Sequence, residues 1–344
     1  IIDPEKETII KKETISEKID AQFLPESGHL LANTENKVGI ILKNELGYGL
    51  ANVTGELLDE NNIITSFKVN KLGIGNFIFT PELNKKYRVK ITYNDTDKIF
   101  NLVKTEIKGI TISIKKPAKG LSVFIKTNKL TIADLKRKTY YLTVHNGKKM
   151  KTFPIKFHKN TTIENFISHH YLNPGINILT LFDDNNKPIA ERLHFSYENI
   201  ESIKSNQISL EKNKDSTKVN LTFRDIVPSM LNNISVSVLS AETKSYKHHH
   251  NILSYYYLSP YLKGTVENAK YYFTNVNKQT IKDLDNLLLT QGWSSYNWYS
   301  IFNDDAKTRN FIEDGISVKV RVKNKKKSKY VIHPVGKNKP NYYV

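Results

Sequence analysis

Residues 75–91 read GNFIFTPELNKKYRVKI. Phe77 and Phe79 alternate with Asn76 and Ile78, and Tyr87, Val89 and Ile91 alternate with Arg88 and Lys90. A period of two puts one apolar face against a core and one polar face toward water, which is the pattern of a half-buried β-strand. The same alternation recurs at Ile110, Ile112 and Ile114, at Leu121, Val123 and Ile125, and at Val219, Leu221 and Phe223. It returns at Ile234, Val236 and Val238, and closes with Ile316, Val318, Val320 and Val322. Many short strands separated by Gly, Asn and Pro turns predict an all-β chain of tandem antiparallel, immunoglobulin-like sandwiches.

Two turns echo each other. LLDENNII spans 57–64 and LFDDNNKPI spans 181–189. Asp and Asn suit such turns because their side chains bond the local backbone and tolerate left-handed conformations. A calcium loop is the sharper reading of the acidic pairs, but the glycine and distal glutamate of a calcium hand are missing. The echo predicts two related sandwiches, 21–107 and 108–198. A third sandwich-like unit with a helical appendage follows at 199–311. The start of a further β-domain takes 312–344, and 1–20 is a linker or truncated end.

Helix signals are few. Thr161–Glu164 has the form of a capping box opening ENFISHH, with Pro174-Gly175 as its stop. The stronger signal is KQTIKDLDNLLLTQGW, 278–293. There Ile281, Leu284 and Leu288 form an apolar stripe, Lys282, Asp283 and Asp285 face elsewhere, and Gly292 ends the helix. Before it, ILSYYYLSPYLKG (252–264) predicts a short helix and a turn.

The 344 residues carry 52 Lys and Arg against 34 Asp and Glu, a formal charge of +18. Nucleic acid is the first partner such a charge brings to mind. Only Arg88, Arg137, Arg192, Arg224, Arg309 and Arg321 are arginines, the residue suited to bidentate phosphate and base contacts. The lysines are spread along the chain, as in a compositional bias. The densest run, Lys323–Lys329, reads as a solvated hairpin turn. Absence of cysteine excludes disulfides, thiol nucleophiles and thiolate zinc sites. No apolar run approaches the roughly 18–20 residues of a membrane helix. The charged, uneven start reads as the end of a processed or truncated piece.

Four stretches, taken in order, carry a resemblance. They are AQFLPESGHLL, GNFIFTPELNKKYRVKI, PGINILTLFDDNNKPIAERLHF, and ILSYYYLSPYLKGTVENAKYYF with LLLTQGWSSYNW. Together they resemble, over roughly residues 20–322, the macroglobulin-like (MG domain) regions of Bacteroidota envelope proteins. Those proteins often also carry a carboxypeptidase-like regulatory domain or a TonB-dependent-receptor plug domain. Ser27 stands where the family usually has a glycine, and Lys71–Gly75 departs from its Asp-Gly-x-Gly turn. Ser294, Ser295 and Asn297 replace two arginines and an aspartate. The resemblance makes DAQFLPESGHLL a first strand in which Phe23 packs, Pro25 and Gly28 bend the chain, and Glu26 bonds locally. It also implies a cell-envelope, outer-membrane-associated location, periplasmic or at the cell surface.

Motifs for chemistry are absent: no HExxH, GxSxG, P-loop or GxGxxG occurs. The glycines of LGIGNF lack the helix that a phosphate cradle needs. His248-His249-His250 reads as a polar loop, since adjacent residues on an extended chain point to alternate faces. His169-His170 reads the same way. A thioester trap needs a cysteine that this chain lacks. The expectation is therefore non-enzymatic, with no catalytic residue, no cofactor and no metal. The chain would be a structural or partner-binding region whose partner is an outer-membrane or other envelope protein in a TonB-dependent-transport-like complex. The alternatives are a polyanion- or glycan-binding module, or a metal-dependent enzyme. The expected contact surface is aromatic: Tyr255, Tyr256, Tyr257, Tyr261, Trp293 and Trp298. Internal packing of the tyrosines against the 278–290 helix is the competing expectation.

Overall fold

The computed structural model describes residues 18–117, 119–147, 149–200, 207–223, 236, 238–240, 242–243, 249–292, 296–303, 331–332 and 342–343. Two units divide the chain, Ile1–Tyr299 and Ser300–Val344. Alternating apolar residues become strands as the pattern predicts. The first series is β1 (Asp20–Pro25), β2 (Leu30–Leu31), β3 (Asn36–Lys43), β4 (Thr54–Asp59), β5 (Asn62–Lys68), β6 (Ile74–Phe79), β7 (Tyr87–Tyr93), β8 (Thr96–Asn101) and β9 (Thr105–Glu106). The second is β10 (Ile110–Lys115), β11 (Gly120–Thr127), α1 (Ile132–Leu135), β12 (Tyr140–His145), β13 (Met150–Ile155), β14 (Thr162–Ser168), β15 (Gly175–Phe182) and β16 (Pro188–Ser196).

The two series fold alike. In the first, sheet β1-β3-β6 faces sheet β5-β4-β7-β8; in the second, β10-β11-β14 faces β13-β12-β15-β16. With the short β2 and β9 set aside, each joins its first, second and fifth strands in one sheet and the remaining four in the other. Each sandwich closes its own core. Val38, Ile40, Phe77, Phe79, Val89 and Ile91 fill the first. Ile112, Leu121, Val123, Ile125, Leu142 and Leu179 fill the second. Pro154 lies on the edge strand β13, where its missing N–H leaves no gap in a ladder. The chain is all-β in class.

The echoing turns join different strands. LLDENNII links β4 to β5, while LFDDNNKPI links β15 to β16. The relation between the units lies in their strand order, and the turns are not equivalent positions. In the second turn the Asp183 carboxylate accepts from the backbone of Asn185 and Lys187 at 2.9 and 2.8 Å.

ENFISHH is not a helix. It forms β14, paired with β11 from Gly120↔Ser168 to Lys126↔Thr162, and ends in a single 3-10 turn at His169–Tyr171. The β-branched and aromatic residues Thr162, Ile163, Phe166 and Ile167 suit a strand, and the ladder satisfies the open side of β11. Burial of Ile163 and Ile167 against the core overrides the local capping signal.

Of 199–311, expected as a third sandwich-like unit, the described residues form one hairpin and several helices. The hairpin is β17 (Gln207–Lys212) with β18 (Thr217–Thr222). The helices are α2 (Ile252–Tyr257), α3 (Lys278–Gln291) and α4 (Trp298–Asn303). Val219 and Leu221 lie on a strand, but that face is exposed, and Val236 and Val238 are exposed as well. Ile316–Val322 and the Lys323–Lys329 run fall outside the described residues. Beyond them, only β19 (Val331–Ile332) and β20 (Tyr342–Tyr343), paired antiparallel, are described. No helix among the described residues is long and apolar enough to cross a membrane, and there are no cysteines.

Within the 278–293 stretch, Lys278–Gln291 is the helix its periodicity predicts. The Asn277 side chain caps it by accepting from Gln279 and Thr280, and Gly292 closes it by donating to Leu288. It packs on β16, β6 and β3 at once. Leu284, Leu287 and Leu288 join Ile74, Ile176, Ile178, Leu193 and Phe195 in a third apolar core. Asp283 and Asp285 do not face away. Asp283 is buried and accepts from Tyr271 Oη at 2.7 Å and Gln279 Nε2 at 3.0 Å. A helix clamped on several sides turns both toward neighbouring elements and leaves Lys282 exposed. Leu288→Ala is expected to lower unfolding stability by roughly 2–5 kcal/mol, read as a drop in urea midpoint with the slope unchanged. A loss under about 0.5 kcal/mol would place Leu288 outside the core.

Candidate functional site

Two places concentrate unusual side chains: a buried charge cluster under α3 and an aromatic surface around α2. The first is built on Arg192, in the AERLHF stretch of β16. Its side chain is 1% exposed. Nε donates to Glu26 Oε1 at 2.9 Å, Nη1 to the Leu193 carbonyl at 2.6 Å, and Nη2 to Asp285 Oδ1 at 2.7 Å. Glu26 comes from the end of β1, Arg192 from the second sandwich, and Asp285 from α3. The expectation that Glu26 bonds locally is therefore corrected, because its guanidinium partner lies 166 residues away. Lys37 Nζ lies 3.8 Å from the same Glu26 oxygen.

The charges balance, with Arg192 and Lys37 against Glu26 and Asp285. Burial pulls the Arg192 guanidinium down, but Asp285 and Glu26 carry it above its ordinary value. Burial raises the Asp285 carboxyl, and Arg192 beside it more than offsets this, so it sits below the usual range. His194, two residues along β16, is buried and pushed down to about 3 by desolvation. It is a neutral imidazole at physiological pH.

Ser27 belongs to the same junction. Its Oγ accepts from Ile112 N at 2.7 Å and donates to Ile112 O at 3.0 Å. Ser27 thus stitches the first sandwich to β10 of the second. Asn128 Nδ2 reaches the Ala32 and Ile107 carbonyls at 3.0 and 2.7 Å across the same joint. Phe23 is buried, and Gly28, at φ +81°, closes the bend with its N–H on Pro25 O, as expected for DAQFLPESGHLL.

The aromatic residues divide. Tyr255 and Tyr256 are exposed at 67% and 65%, with Ile252 beside them at 80%. Tyr257 instead packs on Phe195 and over Gly175, where an added Cβ would lie 2.4 Å from its ring. The Tyr261 hydroxyl donates to Asn146 O at 3.4 Å. Trp298 sits among His145, Phe182 and Tyr296, with ring centroids 4.9–5.5 Å away. Trp293 and His248 lie outside the described residues. Of the expected contact residues, Tyr255 and Tyr256 are on the surface, whereas Tyr257, Tyr261 and Trp298 pack inward. No cluster of three or more His, Asp or Glu among the described residues is placed to hold a metal ion.

Arg192, Asp285 and His194 were not foreseen as a site. Their signal was an arginine and a histidine two apart on one strand, so both share one face. No family model matches the chain, and no curated protein sequence matches it. Among solved structures it is similar to the three N-terminal domains of the bacteriophage RB49 Highly Immunogenic Outer Capsid protein (Hoc). That match has 10% identity, covers 62% of this chain and 73% of that one, and has a TM-score of 0.22. A likeness at that level says nothing about function.

The cluster acts as a lock. Arg192→Leu leaves Glu26 buried without its partner and is expected to cost roughly 3–5 kcal/mol. The triple variant Glu26→Gln, Arg192→Leu, Asp285→Asn should recover part of that loss in chemical denaturation.

Acid should also loosen the fold before the carboxylates titrate. Below an ordinary histidine value of about 6.5, the unfolded chain takes up a proton that native His194 refuses until about pH 3. Stability then falls with pH by about 1 kcal/mol per unit for that proton. Burial lowers His145 as well, in the same direction. Asp285 is shifted down, so its contribution holds to below the ordinary carboxylate range. His194→Gln should flatten the stability profile between about pH 6.5 and 4. An unchanged slope would mean that His194 protonates freely in the native state.

Proposed function

We propose that this chain is a non-enzymatic, partner-binding region of a cell-envelope protein, and that it docks an outer-membrane protein in a TonB-dependent-transport-like complex. The observation that carries the reading is the outer face of α2. Ile252, Tyr255 and Tyr256 stand at i, i+3 and i+4, so they share one helix face and are all exposed. The helix beneath them is held. Asn251 and Ser254 form a reciprocal capping box, and Tyr257 is seated on the second sandwich. A rigid helix presenting one aliphatic and two tyrosine side chains offers amphipathic area at low entropic cost, as contact residues do. The motif order from AQFLPESGHLL to LLLTQGW supports the envelope setting by resemblance to macroglobulin-like regions of Bacteroidota envelope proteins.

The test places a photo-crosslinking residue at Tyr256 in the full-length protein, expressed from its own locus, and solubilises the envelope in detergent. Cross-linking to one defined outer-membrane protein at physiological salt is expected. The double variant Tyr255→Ala, Tyr256→Ala should weaken that association at least about tenfold, with the thermal midpoint unchanged. Recovery of the protein alone, or of nucleic acid that washes off in salt, overturns the reading.

A further inference from the structure

The side of α3 that meets β6 carries Gln279, Lys282, Asp283 and Asn286, whose spacing puts them on one helix face. With the turn between β5 and β6 they line a cleft of about 410 Å³. The cleft shares no residue with the Arg192 cluster or with the exposed face of α2. Its floor is polar. Asn76 Nδ2 donates to Asn286 Oδ1 at 2.6 Å, which fixes both amides. Asn286 is 5% exposed, yet its Nδ2 has no partner among the described residues and is not sealed from solvent. The same holds for Oδ1 of the half-buried Asn76. Both residues line the cleft, so it holds a fixed donor and a fixed acceptor side by side, neither of them spent.

The remaining lining narrows the chemistry. Tyr271 Oη and Gln279 Nε2 are spent on Asp283, which leaves Gln279 Oε1 open. Asn70 Oδ1 is spent on the turn, where it accepts from Leu72 N and Ile74 N at 2.9 and 3.1 Å. Val69, Ile74 and Gly75 are buried behind these groups and form no apolar socket. The rim is cationic. Lys68, Lys71 and Lys282 are exposed there beside Asn52, and none forms an ion pair among the described residues. Lys71 Nζ stands 3.8 Å from the centre of the Tyr271 ring and covers one of its faces. Asp283 is the one carboxylate in the lining, and it is buried.

Three ammonium groups against one carboxylate favour an anion. A carboxamide gives and takes hydrogen bonds, as a hydroxyl does. An apolar ligand would strand the floor amides, and a bare inorganic anion would leave them unused. The volume falls within the usual range for small-ligand sites, about 300–1,000 Å³. We propose that this cleft binds an acidic sugar residue of the uronate type. Asn76 Oδ1 and Asn286 Nδ2 bond its hydroxyls, and Lys68, Lys71 and Lys282 take its carboxylate. The site is separate from the α2 docking face, and neither proposal needs the other.

Saturation-transfer NMR on the intact chain at physiological salt tests it. The probes are the methyl glycosides of glucuronate and galacturonate, with methyl glucoside as the neutral counterpart. Transfer to at least one uronate is expected, with binding about tenfold tighter than that of the glucoside. The double variant Lys68→Gln, Lys282→Gln should weaken uronate binding by about tenfold. Lys159→Gln, Lys214→Gln removes the same charge from exposed positions elsewhere and should leave binding unchanged. Asn286→Asp keeps the acceptor for Asn76 but replaces the free donor with an acceptor, and should abolish binding. The lysine pairs are exposed, so their comparison stands whatever Asn286→Asp does to the fold. Silence from both uronates overturns the proposal, as does equal binding of the neutral glucoside. An equal loss in the two lysine pairs overturns it too, since bulk charge would then be responsible. So does displacement of the uronate by equimolar inorganic phosphate, which would mean a general anion site, or wild-type binding in folded Asn286→Asp.

Discussion

Arg192 is the constraint on which the arrangement of the first unit depends. A guanidinium shut away from water must find acceptors, and no single element here supplies them. Glu26 arrives from the first sandwich, the Leu193 carbonyl from its own strand, and Asp285 from α3. Each bond fixes the position of a different layer. Such a cluster is a weak source of net stability, because desolvation consumes most of the attraction. Its effect is on specificity: an arrangement in which α3 slides along β16, or the first sandwich turns away, leaves charge stranded in an apolar interior. The apolar core shared by Leu284, Leu287, Leu288, Leu193 and Phe195 provides adhesion without choosing a register.

That lock explains the burial pattern of the second sandwich. Every residue of β15 is buried. Leu179 and Leu181 point into the sandwich core, while Ile176 and Ile178 point into the core under the helices. An antiparallel sheet normally leaves one face to water. Here the helical layer covers it, and the strand is correspondingly apolar on both sides. GINILTLF therefore lacks the clean alternation seen in 75–91. The close approach of α3 to the first sandwich is set by Gly39 on β3, where an added Cβ would lie 2.6 Å from Thr290 and 2.9 Å from Leu289.

What was legible in the sequence follows from the range of the forces involved. Strands whose apolar residues face one core, such as Ile110–Ile114 and Leu121–Ile125, showed their period directly. The helix at 278–291 showed its stripe and its stop. ENFISHH misled because a capping box is a local signal, while the pairing of β14 with β11 is not local. Asp283 and Asp285 misled for a related reason: amphipathicity assumes one buried face, and α3 has several. Glu26 misled most, since nothing within a few residues of it reveals a partner 166 positions on. The sequence marked a cluster of tyrosines around 255–261, but which of them face water depends on how α2 is rotated.

That rotation is set by a glycine. Gly175 takes φ +84°, a conformation that side chains rarely adopt, at the turn leading into β15. The absence of a Cβ that permits the turn also opens the socket into which the Tyr257 ring fits. With Tyr257 pinned there and against Phe195, the helical period leaves Ile252, Tyr255 and Tyr256 no choice but the opposite face. One backbone requirement of the second sandwich thus decides which tyrosines are internal and which are presented. A helix held this way loses little entropy when a partner covers it, so its exposed area is better suited to binding than the equally apolar face of the β17–β18 hairpin, which packs on no described core.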